Sequence, residues 1–282
     1  MPQVSDIVLT LSCEDKPGIV AAVANLFALQ GFNIRESAQF EDVYTHRFFM
    51  RTVLDSCEGK KSIDAIKASF QPLADRYNMN WGIYNKHTKP RVLIAVSQWG
   101  HCLSHLLNVW KNGSLPIDVV GVVSNHEVMR PLCEWYQVPY HYLPISNNSD
   151  RDFLKLVQSE KVELLVLARY MRILSELLCK HIEGRAINIH HSFLPSFKGA
   201  KPYHQAYSRG VKLIGATAHY VTPELDEGPI IEQSVERVNH TNTPGELVEI
   251  GRDIEAIILT RAIRWHIEHR ILLNGQKTVV FK

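Results

Sequence analysis

Apolar and polar positions along the first third of the chain change period several times. Residues 6–13, DIVLTLSC, form an apolar run of strand length, followed by the turn Asp15-Lys16-Pro17-Gly18. Residues 19–30, IVAAVANLFALQ, place apolar side chains at helical spacing and stop at Gly31. Residues 33–40 and 46–55 read as two further strands. Ser62 stands where a helix needs its cap, ahead of a helix to about Asn78 with Ile63, Ile66, Phe70 and Leu73 on its apolar side. MNWGIY, ending at Tyr84, supplies a last strand. The order β-α-β-β-α-β over residues 5–84 predicts a ferredoxin-like domain. Two helices cover one face of its sheet. Val8, Phe48, Met50 and Val53 are expected to contribute apolar surface toward a homo-oligomer contact on this domain.

Residues 85–90, NKHTKP, are polar and carry a proline, as a linker does. From residue 91 to the end at 282 the pattern differs. RVLIAVS (91–97), IDVVGVVS (117–124), VELLVLA (162–168) and AINIHH (186–191) are nearly unbroken apolar runs, with amphipathic stretches between them. Strands covered on both faces of a parallel sheet read this way. The expected fold is α/β: a ferredoxin-like domain, then a doubly wound, mostly parallel sheet. Ligands of such sheets bind outside the carboxyl ends of the strands.

Those ends carry the candidate chemistry. After the first strand, SQWGHCL (97–103) has one glycine, so it matches neither a dinucleotide fingerprint nor a phosphate loop. No cofactor of those types is implied. His101 and His105, four apart, lack a nearby third ligand and read as a packed or solvated pair. Cys102 reads as core or as lining of the site. At residues 167–175, LARYMRILS, Arg169 and Arg172 read as solvent-facing residues ahead of a helix. INIHHSFLPSFKG (187–199) sets Asn188, His190 and Ser192 two apart, on one side of an extended chain where it leaves the core. Downstream, GATAHYVTPELDEGPIIEQ (215–233) has His219 on a strand and Asp226 in a tight turn before Gly228-Pro229. An amide, an imidazole and a carboxylate at strand ends of one sheet make a credible acid–base site.

Composition narrows the class. A net charge of +2 with scattered basic residues argues against nucleic acid. The five cysteines, widely spaced and without a C-x-x-C pair, fit reduced thiols. The N-terminus lacks the pattern of a signal peptide and no apolar run is long enough to span a bilayer, so the chain is expected to be soluble and cytoplasmic.

The motifs resemble known families. DKPGIVAAVANLFALQGFNI (15–34) and the element order resemble the ACT domains, amino-acid-binding regulatory modules. The resemblance implies an amino-acid effector near Asp15 and Gly18, where a helix N-terminus admits close approach. INIHHSFLPSFKG followed by GATAHYVTPELDEGPII is similar to the folate-dependent formyltransferases, which pair N-x-H-x-S-x-L-P-x-x-x-G with a downstream H-[YF]-V-T-x-E-x-D-x-G-P-I. The two domains in this order resemble the formyltetrahydrofolate deformylase family, which implies hydrolysis of 10-formyltetrahydrofolate to tetrahydrofolate and formate. By that resemblance Asn188 and a protonated His190 face the developing oxyanion and Asp226 holds water, with no metal and no cofactor. Met171, Arg172, Ile173, Leu174, Val221, Thr222 and Leu225 would bind the folate, with Arg172 toward its acidic tail. Ser192 and His219 would support the catalytic group. Trp99, His101 and Cys102 would line the acceptor side, where glycinamide ribonucleotide formyltransferases carry a glycine-rich loop instead. Two alternatives stay open at this point: a formyltransferase acting on an amine, and an amino-acid sensor with an inactive second domain.

Overall fold

The computed structural model describes residues 3–57, 59–146, 148–194 and 202–282. The chain separates into two units, Met1–Thr88 with Glu268–Lys282, and Lys89–Ile267. The first contains β1 (Gln3–Val4), β2 (Asp6–Glu14), α1 (Ile19–Leu29), β3 (Phe32–Asp42), β4 (Arg47–Ser56), β5 (Lys61–Ser62), α2 (Ile63–Arg76) and β6 (Asn80–Asn85). The long strands form an antiparallel sheet in the order β3-β4-β2-β6, and β1 pairs with β5. This is the ferredoxin-like topology that the pattern predicts.

Local chemistry sets the elements. Gly18 precedes α1 at φ 91°, a conformation costly for any side chain. Ser62 caps α2, its hydroxyl accepting from the Ala65 N–H. Ile19, Val23 and Phe27 of α1 and Ile66, Phe70 and Ala74 of α2 bury against Ile7, Leu9, Leu11 and Ile83.

The other face of this sheet differs from expectation. Phe48 and Met50 point toward the helices and belong to that core. Val8 and Val53, paired across β2 and β4, are buried too. On the face opposite the helices, Phe49 clusters with Leu272 and Phe281 of the C-terminal segment, which folds as the hairpin Ile271–Asn274/Lys277–Val280. Arg51 donates to the Glu268 carbonyl and Asn274 to Asp42. Residues 268–282 therefore belong with the first unit, not with a domain running from 91 to 282. The C-terminal hairpin thus covers the apolar surface around Phe49.

The second unit contains β7 (Arg91–Val96), α3 (His101–Lys111), β8 (Asp118–Ser124), α4 (Arg130–Tyr136), β9 (Tyr140–Tyr142), α5 (Ser149–Ser159), β10 (Leu164–Leu167), α6 (Glu176–His181), β11 (Ala186–His190), α7 (Pro202–Ser208), β12 (Leu213–Tyr220), β13 (Ile230–Arg237) and α8 (Pro244–Ile267). The seven-stranded order is β13-β12-β11-β10-β7-β8-β9. Strands β7 to β11 run parallel, whereas β12 and β13 return antiparallel along one edge. The unbroken apolar runs are indeed the central strands, with Leu93, Ala95, Leu165 and Ala186 in the core. Among the described residues no helix is long and apolar enough to cross a membrane.

Candidate active site

The parallel strands β7, β10 and β11 end on the same side of the sheet, and β12 starts its return beside β11. The register sets Asn188 opposite His219 and His190 opposite Thr217. Buried Thr217 fixes the exit of β11. Its hydroxyl donates to the Ser192 carbonyl at 2.9 Å and accepts from the Leu194 N–H and the Gln233 amide. The strand therefore stops in a set geometry, with its last polar residues facing a cleft of about 250 Å³.

Asp226 reaches that cleft from the loop between β12 and β13. It holds φ 58°, uncommon for a residue with a side chain. The neighbouring Gly228 is required by packing, since a Cβ there would lie 1.7 Å from the Tyr220 carbonyl oxygen. The loop is thus pressed against β12, and its carboxylate arrives 3.2 Å from His190 Nδ1 and 3.7 Å from His219 Nε2. Burial would raise the Asp226 carboxyl, but the neighbouring imidazole contacts, the His190 hydrogen bond first among them, outweigh burial and hold it well below the usual carboxylate range. It is an anion at neutral pH.

Asn188 and His219 fix each other. His219 Nδ1–H donates to the Tyr220 carbonyl at 2.8 Å, which leaves Nε2 to accept from Asn188 Nδ2 at 3.1 Å. The Asn188 amide keeps a second N–H for the cleft. His190 uses Nδ1 on Asp226, while its buried Nε2 has no hydrogen-bond partner. A buried polar atom left without a partner is costly in a folded protein.

The cleft walls are apolar. Met171, Ile173 and Leu225 are largely exposed, and Leu174, Val221, Thr222 and Pro223 complete the slot. Exposed apolar side chains gathered in one concavity suit a flat aromatic ligand. Arg172 lines the cleft but donates one N–H to Ser149, so its cation is anchored at the rear.

Several expected site residues do not line the cleft. Ser192 is buried and is not among the cleft-lining residues. Nor are Trp99, His101 and Cys102. The Trp99 ring is 43 % exposed, with the Arg169 guanidinium 5.6 Å above it. His101 donates to Glu255 at 2.8 Å, and burial pushes the fully buried Cys102 thiol well up. Donor atoms of His101, Cys102 and Glu255 lie within 4.8 Å of one another, a spacing that a metal could bridge. The Glu255 carboxylate already accepts from His101 and Tyr203 and faces Arg169 at 3.4 Å. Asp15 and Gly18 are exposed in the first unit. Pro195 and Gly199 of the motif fall outside the described residues.

Sequence reasoning missed Arg169. It was expected in solvent, yet its side chain is only 10 % exposed and lines the cleft. A left-handed φ of 65° redirects the chain after Ala168, so strand alternation could not reveal where the side chain goes. His191 also lines the cleft; burial first, then the charges of Arg169 and His190, lower its imidazole to about 4.

Comparison with known proteins bears on the fold and the family. The Formyl transferase family model matches residues 90–263 and the ACT domain model residues 7–68. The chain is 47 % identical to a formyltetrahydrofolate deformylase of Corynebacterium sp. (strain P-1), over 98 % of each chain. The crystal structure of formyltetrahydrofolate deformylase from Burkholderia mallei superposes with a TM-score of 0.93 at 48 % identity, covering 99 % of this chain and all (100 %) of that one. Glycinamide ribonucleotide transformylase 1 from Symbiobacterium toebii matches with a TM-score of 0.66 at 29 % identity, over 70 % of this chain and 95 % of that one. With an ACT domain ahead of a formyl transferase domain, and full-length similarity at this level, the chain belongs to the formyltetrahydrofolate deformylase family.

Proposed function

We propose that this chain hydrolyses 10-formyltetrahydrofolate to tetrahydrofolate and formate in the cleft at the end of β11. The observation that carries this reading is Asn188 and His190, whose Nε2 has no partner, gathered beside an ionised Asp226 in one cleft. The folate's pterin lies in the apolar slot, and its formyl oxygen takes the two open N–H groups. Asp226 holds a water and draws its proton as the oxygen attacks the formyl carbon. The carbonyl electrons move onto oxygen, where the two donors stabilise the charge. Collapse of the tetrahedral species breaks the carbon–nitrogen bond, and the leaving nitrogen takes one proton of the water. Formic acid loses the other, so the products are formate, a proton and tetrahydrofolate.

The scheme uses no metal and no cofactor. His219 acts by holding Asn188 and facing Asp226, while Arg172, fixed by Ser149, borders the path of the acidic folate tail. Water is supported as the acceptor because the β7–α3 junction carries Trp99 and the Glu255 cluster in place of a glycine-rich loop that would cradle the phosphate of an amine substrate. We further propose that the enzyme is cytoplasmic and forms a homo-oligomer. The first unit answers to an amino acid near Asp15 and Gly18. The test is purified protein with 10-formyltetrahydrofolate alone, in a metal-chelating buffer. Formate and tetrahydrofolate should appear one for one; consumption of folate without formate would overturn the reading.

A further inference from the structure

Hydrolysis places a new anion beside an existing one. Formate arises next to Asp226, which is itself ionised, so the product needs a counter-charge to be held or guided away. Among the described residues, five buried side-chain atoms lack a hydrogen-bond partner, and two of them belong to residues that line the active cleft. One is His190 Nε2, which the formyl oxygen uses. The other is Arg169 Nε. Its nearest anion, Glu255 Oε2 at 3.4 Å, makes a charge pair without hydrogen-bond geometry, and that carboxylate is already engaged by His101 at 2.8 Å and Tyr203 at 2.7 Å. Trp99 packs against the guanidinium at 5.6 Å. Arg169 is therefore held from behind by its surroundings while the residue lines the cleft. A guanidinium fork matches a carboxylate, and charge-assisted bonds of this kind are the strong ones.

We infer that the Arg169 side of the cleft is a subsite for a one-carbon carboxylate, the formate product. The inference rests on the hydrolytic reading above. Arg169 brings its guanidinium charge to the formate oxygens at the cleft wall, the neutral His191 beside it adds no competing positive charge, and Glu255, 3.4 Å from Nε, fixes the arginine from its buried side. Glu255 and Trp99 are positioning residues that act through Arg169.

Formate binding is read without turnover, by saturation-transfer NMR of the formate proton with the whole protein and no folate present. Wild type should give a saturable signal that equimolar chloride does not remove. Arg169→Gln should weaken it by about tenfold or more, the loss expected for one charge-assisted hydrogen bond. Arg169→Lys should retain part of it, and Asp226→Asn, which removes the repelling neighbour, should bind formate at least as well as wild type. If Arg169→Gln does not fold, because it strands the buried Glu255 carboxylate, the doubly substituted Arg169→Gln/Glu255→Gln protein carries the test with neutral groups at both positions. No saturable signal in wild type, a signal unchanged by loss of Arg169, or one removed by chloride would overturn the subsite. Hydrolysis without formate binding would defeat this inference alone, whereas formate binding without hydrolysis would defeat the functional reading.

Discussion

Two polar clusters stand at one end of the same sheet, and they are built on opposite plans. At the end of β11, Asn188, His190, His219 and Asp226 line a cleft and satisfy one another only in part, leaving His190 Nε2 without a partner. At the end of β7, His101, Glu255 and Tyr203 close upon themselves: both Glu255 oxygens are taken, and the carboxylate is 1 % exposed. Burial would raise the Glu255 carboxyl, but the His101 hydrogen bond, the Arg169 charge and the Tyr203 hydroxyl keep it below its usual value. A cluster with open valences can receive a reacting molecule, while a closed one makes a wall. Arg169 joins the two, bordering the cleft in front and Glu255 behind.

The contrast breaks most visibly under substitution. Asn188→Ala should lower kcat by about 10²–10³-fold, the cost of one oxyanion donor, with His190→Ala and Asp226→Asn at least as damaging. Circular dichroism and the melting temperature should change little, because these side chains are not what closes the core. Steady-state kinetics beside a thermal melt checks both halves, and near-normal turnover in Asp226→Asn would defeat the assignment of roles.

Glu255→Ala should show the reverse balance. It strands Arg169 and His101 without their buried counter-charge, a loss of about 3 kcal/mol or more. A melting temperature lower by several degrees is expected, read by calorimetry. An unchanged melt would mean that the wall is not held by this carboxylate.

Acid should separate the clusters further. Burial lowers the imidazole of His266 to about 4, and His191 lies at the same level. Unfolded histidines take up protons near 6.5, so between about 6.5 and 4 the unfolded chain binds more protons than the native one. Stability should therefore fall as pH drops through that window and level off below it, by at least about 1 kcal/mol in all. Urea melts at successive pH values check the sign. The smallest effect belongs to Trp99→Ala. An exposed cation–π contact is worth about 0.5–1 kcal/mol, so kcat should change less than about fivefold.

Much of this was legible in the sequence. The β11 trio shows because strand alternation is regular, so residues two apart must share a face until the strand ends. The ferredoxin-like topology shows because caps, Gly31 and apolar periods agree. The wall does not show, since Glu255 sits within the 24-residue helix α8 and no local pattern ties it to His101, 154 positions away. Ser192 was placed on the catalytic face by an alternation that stops at His190, where β11 ends. The hairpin over Phe49 was hidden for a similar reason: its apolar residues are few, and their burial depends on a sheet more than 200 positions earlier in the chain.

The central claim is that the open cluster delivers the formyl group to water. Single turnover in ¹⁸O-labelled water with equal glycinamide ribonucleotide present tests it most directly, by mass spectrometry of both products. Formate carrying one oxygen from the water, with no formylated amine, is the predicted result; formylation of the amine faster than release of labelled formate would contradict it.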